Sequence, residues 1–194
     1  MREYIASLVS VSPYSQSRQY EREFPRDEKE LHDDYEARTW MKRLHTLPDG
    51  RVFIPPTQFK EALVECAQYL AIKIAGKGKA TYTKHFKAGI LISEGLILPI
   101  KAADVVGEWL SLDAQPTRSS GGRVWRCMPK IDEWRGDLTI HVLDETITQE
   151  ILRYHLEQTG AFIGIGRFRP KNGGFYGRFR VAELVALDQR LAAE

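Results

Sequence analysis

The sequence predicts an α+β domain of ferredoxin-like (RRM-like) βαββαβ type, enlarged by insertions. Two observations carry that expectation. Hydrophobic periodicity passes from the two-residue repeat of a strand to the three-to-four-residue repeat of a helix and back, and it does so once in each half of the chain. The 194 residues also suffice for one well-buried core, and 43% hydrophobic with 28% charged residues fits a soluble globular protein. In such a fold antiparallel strands carry two helices on one side, which leaves the opposite sheet face available for a ligand.

The elements follow in order. Ile5 to Val11 reads as the first strand, with Ile5, Ser7, Val9 and Val11 on one side and Ala6, Leu8 and Ser10 on the other, until Pro13 ends it. Residues of about 17–45 are polar and charged with no sustained apolar stripe, and are expected to form a charged insertion or mobile excursion outside the core. LPDGRVFIPP supplies a turn at Pro48-Asp49-Gly50 and an extended run from Arg51 to Ile54. A helix must follow. Thr57 suits the N-cap, Phe59, Leu63, Cys66, Leu70 and Ile74 recur at helical spacing, Lys60, Glu61, Glu65 and Lys73 take the wet side, and Gly76 is a natural stop. Ala88 to Ile100 reads as strand broken by a turn at Glu94-Gly95, residues of about 113–130 as a basic excursion, and Leu138 to Leu143 as a further short strand. The second helix begins near Thr146, turns Ile147, Ile151, Leu152 and Leu156 to the core and ends at Gly160. FRVAELVALDQRL closes the single domain, 1–194, as a strand with a helical or coiled tail.

Composition excludes several classes. No apolar run approaches the roughly 18–20 residues of a membrane span, and MREYIASLVSVSPYS has serines and a proline where a signal peptide needs a longer apolar stretch, so a cytoplasmic protein without membrane contact is expected. Cys66 and Cys127 are too few for a disulfide framework and stand in no zinc-ligand spacing with the five histidines, so both are expected to be reduced and structural, with neither metal nor cofactor. GKGKAT fails the P-loop pattern. A dinucleotide fingerprint fails as well, because Gly164 and Gly166 follow a helix and Arg169 occupies the third glycine's place.

The net charge of +2 averages over unlike segments. Between Arg18 and Arg38 acids outnumber bases by eight to five, whereas Lys77 to Lys87, Arg118 to Lys130 and Gly164 to Arg180 contain no acid. Taken singly, each basic run reads as a solvated face; three of them, each with glycine and aromatic residues, point to a surface that tracks phosphates. Candidate binding residues are Lys60, Lys77, Lys79, Lys84, His85 and Lys87 in the first half of the chain, and Arg123, Trp125 and Arg126 beside Gly121-Gly122. In GIGRFRPKNGGFYGRF, Gly164, Gly166, Gly173, Gly174 and Gly177 permit positive φ and close backbone approach, while Arg167, Arg169, Lys171 and Arg178 add charge. Phe168, Phe175 and Tyr176 could pack beneath the loop or stack on bases. His85 has no partner visible in sequence, which favours a binding or structural role over general acid work. Asp33 and Asp34 read as solvated acids, and Trp109 and Trp134 as packing residues.

RVFIPPTQFKEAL resembles the RAMP superfamily of CRISPR proteins, in which a strand runs into an Ile-Pro-Gly-Ser-Ser-like turn and a helix starting with a Leu-Lys-Gly-like step. Ile54, Pro55 and Thr57 match the turn, and Phe59, Lys60, Ala62 and Leu63 the helix start, while Pro56 and Glu61 stand where glycine is common. The carboxy-terminal loop is similar to the family's glycine-rich loop and ends in a matching Gly177-Arg178-Phe179 step. Within the superfamily the chain looks most like the Cas-seven type. That resemblance implies a non-catalytic backbone subunit with three kinds of partner: guide RNA or other single-stranded nucleic acid, head-to-tail copies of itself, and other effector-complex subunits. The acidic Arg18–Arg38 and basic Arg118–Lys130 segments are then expected to meet across neighbouring copies. Two alternatives remain: a RAMP endoribonuclease working through His85 or an acid of the insertion, and a solitary phage or plasmid protein that binds single strands or imitates a complex subunit.

Overall fold

The structure, a computed structural model, describes residues 1–113 and 122–187. Along the chain come β1 (Arg2–Ser10), α1 (His32–Thr39), β2 (Arg51–Ile54), α2 (Pro56–Leu70), α3 (Thr83–Gly89), β3 (Ile90–Leu91), β4 (Leu96–Lys101), β5 (Val106–Asp113), β6 (Arg123–Lys130), β7 (Arg135–Val142), α4 (Gln149–Gln158) and β8 (Phe179–Ala186). The main sheet has the order β3-β7-β1-β8, and every neighbouring pair is antiparallel. Alternation along β1 buries Tyr4, Ala6 and Leu8, and the matching residues of β7 and β8, Leu138, Ile140, Val142, Val181 and Leu184, share one cluster with Phe59, Leu63 and Cys66 of α2 and Leu152 and Leu156 of α4. The molecule is therefore a mixed α/β protein with antiparallel sheets and both long helices on one sheet face.

The other face of the sheet is polar and charged along its middle. Ser7 donates to Asp137 at 2.7 Å and lies opposite Glu183 in the register, and Glu3 lies 3.6 Å from His141. At the other end of the same face Arg135 and Arg180 both lie opposite Val9, so it carries charge of both signs.

Two antiparallel ribbons are added to this sheet: β2 with β4, and β5 with β6. The second falls on the expected basic excursion; its residues 114–121, which include Arg118 and Gly121, lie outside the described residues, as does the tail from 188.

Four expectations are corrected. Helix α2 starts at Pro56 rather than after a Thr57 cap, because proline suits a position whose N–H has no helical acceptor. It stops at Leu70, with Ala71 in the left-handed region, so Ile74 reaches the core from a loop rather than from the helix and Gly76 plays no part in the stop. Ala88 and Gly89 belong to α3 rather than to a strand, and only Ile90–Leu91 pairs with β7.

The charged insertion of 17–45 is folded. Tyr20 and Tyr35 are buried with ring centroids 6.3 Å apart, and Glu36 of α1 is wholly buried. It accepts two bonds from Arg43, both 2.8 Å, one from Arg126 at 2.8 Å and one from the Cys127 N–H at 3.1 Å. The acidic and basic segments thus meet inside one chain, by way of a buried ion cluster that no apolar stripe announces.

Candidate nucleic-acid interface

The glycine-rich loop is stitched onto the chain that leaves β1. Arg167 N–H donates to the Ser15 carbonyl at 3.0 Å, Gly177 N–H to Pro13 at 2.6 Å, Ile165 N–H to Gly177 at 3.1 Å and Tyr176 N–H to Phe168 at 3.0 Å. Glycine is obligatory at two of these crossings. A Cβ on Gly166 (φ 74°) would lie 2.4 Å from the Ser15 oxygen, and one on Gly177 (φ 73°) 1.8 Å from the Ile165 oxygen. Gly177→Ala is expected to cost about 1–3 kcal/mol from the backbone conformation alone, plus the displacement of Ile165; thermal melts check it, and an unchanged midpoint would refute the assignment.

The loop's amides are largely occupied. Gly164, Gly173, Gly174 and Gly177 all donate to protein carbonyls, so these glycines act by admitting the fold, and anion contact falls to side chains. The cations divide sharply. Arg169 lies 2.9 Å and Lys171 2.7 Å from the Glu65 carboxylate on α2. Burial acts against ionisation of Glu65, but these two cations outweigh it and hold its carboxyl below the usual range. Arg178 donates to the Ala161 carbonyl.

Arg167 is different. It donates to the Ser17 hydroxyl at 3.1 Å and stands 5.1 Å from the Phe168 ring centroid, and among the described residues no carboxylate lies within ion-pair distance of it. Burial, then repulsion from Arg43 and Arg126, holds its guanidinium below the ordinary range, although it stays charged. Two clefts of ≈ 280 Å³ each share Arg167 and Ser17. One runs past Gln58 and Glu61 at the start of α2 and Asn172 of the loop; the other runs past Glu21, Arg43, Arg126 and Asp113 to the β5–β6 ribbon. Meeting at these two shared residues, they form a trough with Arg167 at its middle.

On that ribbon Arg123 is held by the Ser111 carbonyl at 2.7 Å and hydroxyl at 2.9 Å. Trp125, opposite Ser111, is 52% exposed, and Trp109, opposite Cys127, is 43% exposed. Both lie on one face of the ribbon, since alternate residues share a face. Trp109 was expected as packing; its period-two relation to Ser111 would have flagged it only once the register was known.

The remaining candidates gather elsewhere. Lys60 donates to the carbonyls of Phe86, Lys87 and Ile90 at 2.7, 3.0 and 2.6 Å, ending α3, and burial pushes its ammonium down. Lys79, Lys84 and Lys87 are exposed, Lys77 donates to Thr146 at 3.3 Å, and His85 pairs with Asp144. The structure therefore brings Gly166, Arg167, Arg169 and Arg126 together and sets Lys60 and the 77–87 run apart. Ser17, Gln58 and Arg43, which line the trough, were missed because they sit in unremarkable polar stretches.

Cys66 and Cys127 are free and buried, and burial with the nearby Glu36 pushes the Cys127 thiol up to about 11. Among the described residues no cluster of three or more His, Cys, Asp or Glu could hold a metal, and no helix is long and apolar enough to cross a membrane.

No protein-family model and no curated protein matches the sequence. Solved structures do match the fold. The chain aligns over 95% of its length, at 9% identity and a TM-score of 0.54, with 60% of a chain in the cryo-EM structure of the type III-B Cmr-beta bound to cognate target RNA. It aligns over 92% of its length, at 9% identity and a TM-score of 0.50, with 97% of Cmr6 from Pyrococcus furiosus. It thus spans three-fifths of the first neighbour and nearly all of the second. At such identity the likeness is one of fold alone, shared with these two Cmr structures.

Proposed function

We propose that the protein binds single-stranded RNA along the Arg167 trough as a non-catalytic subunit of a CRISPR effector complex, where copies add along guide RNA as in the Cas-seven type. The observation that carries this reading is Arg167: a partly buried guanidinium without a carboxylate, pressed by two further arginines, gains more from a phosphate than any paired cation on the loop. The sheet order, with β1 between β7 and β8, agrees with a ferredoxin-like βαββαβ core in which α2 and α4 are the crossover helices. The RNA bound in the first structural neighbour supports an RNA partner, and the neighbours' membership of Cmr assemblies supports an effector-complex setting. Because the acidic and basic segments are spent on one another within the chain, a head-to-tail contact between copies would use other surfaces, and the exposed Trp109 and Trp125 are suited to it.

The test is binding to single-stranded RNAs of increasing length at several salt concentrations. Log K is expected to fall with log salt by roughly 0.7 per phosphate neutralised, and the number of copies per RNA, read by light scattering, to climb stepwise with length while the RNA stays intact. Affinity indifferent to salt would overturn RNA binding itself. One copy at every length would leave a solitary binder, and cleaved RNA an endoribonuclease.

A further inference from the structure

His85 and Gly89 stand one helical turn apart on α3, and both meet Asp144 in the turn that follows β7. A Cβ on Gly89 would lie 2.4 Å from the Asp144 Cβ, so the glycine is what lets the turn rest on the helix. The His85 Nδ1 is 2.6 Å from Asp144 Oδ2. The turn is fixed from several sides. Leu143 N–H donates to the Gly89 carbonyl at 2.8 Å, Thr146 N–H to Asp144 Oδ1 at 2.8 Å, and the Arg2 guanidinium to the carbonyls of Asp144 and Ile147 at 2.8 and 2.9 Å. Burial opposes ionisation of Asp144, but the bonds from Thr146 and His85 outweigh it and hold the carboxyl below its usual range. An ionised carboxylate only accepts, so Nδ1 carries the hydrogen and Nε2 is the nitrogen the carboxylate leaves unengaged. The His85 side chain is 24% exposed, in a run of eleven residues without an acid.

We infer that His85, oriented by Asp144, is a second phosphate contact apart from the trough, in which the imidazolium Nε2–H donates to a phosphate oxygen of a nucleic-acid strand and Lys77, held beside it through Thr146, adds charge. The inference rests on the RNA-binding reading. Its charge balance makes it proton-gated. With His85 neutral, Asp144 and the adjacent Glu145 repel a phosphate; with His85 protonated the pair is neutral, and Lys77, Lys84 and Lys87 prevail. The other groups packed around His85 are fixed in charge. Arg2 is held on backbone carbonyls, Lys60 on the end of α3, and Tyr82 meets the ring edge-on at 6.4 Å. Burial holds His155, which contacts Tyr82 from α4, below the usual imidazole range. Phosphate contact here therefore strengthens as pH falls.

The experiment measures anisotropy of a short fluorescent single-stranded RNA from about pH 8 to 5.5 at constant ionic strength, with the wild-type chain, His85→Gln, Lys77→Ala and Arg167→Ala. The wild type is expected to tighten by about three- to tenfold on acidification, His85→Gln to stay flat near the wild-type value at pH 8, and Lys77→Ala to tighten less. Arg167→Ala should bind more weakly at every pH yet keep the wild-type slope. A flat wild-type profile, or an unchanged slope in His85→Gln, overturns the inference and leaves the trough reading intact. If no RNA binds at any pH, the trough reading fails, and inorganic phosphate decides the His85 site alone. A saturable shift of the His85 imidazole resonances by NMR at about pH 6, lost in Lys77→Ala, supports the site, and no shift overturns it.

Discussion

Arg167→Ala is expected to weaken single-stranded RNA binding by roughly ten- to a hundredfold, the loss of one charge-assisted contact worth about 1.5–3 kcal/mol. The neighbouring cations make the comparison sharp. Arg169 and Lys171 share the Glu65 carboxylate, so an incoming phosphate must compete with an ion pair for either of them. Each single alanine variant there should cost less than threefold, about 0.6 kcal/mol. Among the described residues Arg167 makes no ion pair, and repulsion from Arg43 and Arg126, only partly offset by Glu36, adds to what an anion relieves. The fold should survive its removal, since among the described residues its side chain holds the Ser17 hydroxyl and the face of Phe168 and makes no ion pair. Removing Arg169 and Lys171 together is not neutral to the fold, because it strips both partners from Glu65 and loosens the loop from α2. Anisotropy at low salt measures the affinities, and the salt slope of Arg167→Ala should be shallower by about 0.7. Equal losses in Arg167→Ala and Arg169→Ala would place the phosphate elsewhere on the loop.

That ranking shows where sequence stops being informative. Three cations within five residues look alike on paper, and what separates them is a glutamate 104 positions before Arg169 that reaches two of them and not the third. The fold was legible wherever one face of an element is dry. β1 alternates between buried and half-exposed residues, and α2 and α4 bury a single stripe, so their periodicity was visible. It was not legible in β5, where both faces of a ribbon standing off the main sheet are partly wet, nor in α3, whose seven residues bury only Phe86 and Gly89. His85 could not be paired with Asp144 from sequence, because the turn rests on α3 only where Gly89 lacks a side chain.

The charged insertion was misjudged for a related reason: it is held by polar groups, and the largest loss of stability is expected from removing one of them, in Glu36→Ala. Glu36 is 0% and Arg43 3% exposed, and the carboxylate satisfies Arg43, Arg126 and the Cys127 N–H at once. Deleting it leaves the Arg43 guanidinium buried against the Cys127 carbonyl, with Glu21, 3.8 Å away and half-exposed, as its remaining acid. Breaking one side of such a buried pair costs about 3–5 kcal/mol, a fall in melting temperature of roughly 6–20 °C for a chain of this size. Glu36→Gln keeps the shape and an acceptor oxygen and should cost less, and Arg126→Ala, which removes a partly exposed partner and leaves the Arg43 pair whole, least of all. Function should follow stability here, because the same carboxylate ties α1 to β6 and so fixes the wall of the trough that carries Arg126. Thermal unfolding of the full chain over a wide range of protein concentrations decides the point. A pairing made inside one chain gives a loss independent of dilution, whereas a pairing between copies gives a loss that grows with concentration and vanishes in dilute solution. A shift below about 2 °C would mean that the cluster contributes less than about 1 kcal/mol and that the insertion is held by Tyr20 and Tyr35 instead.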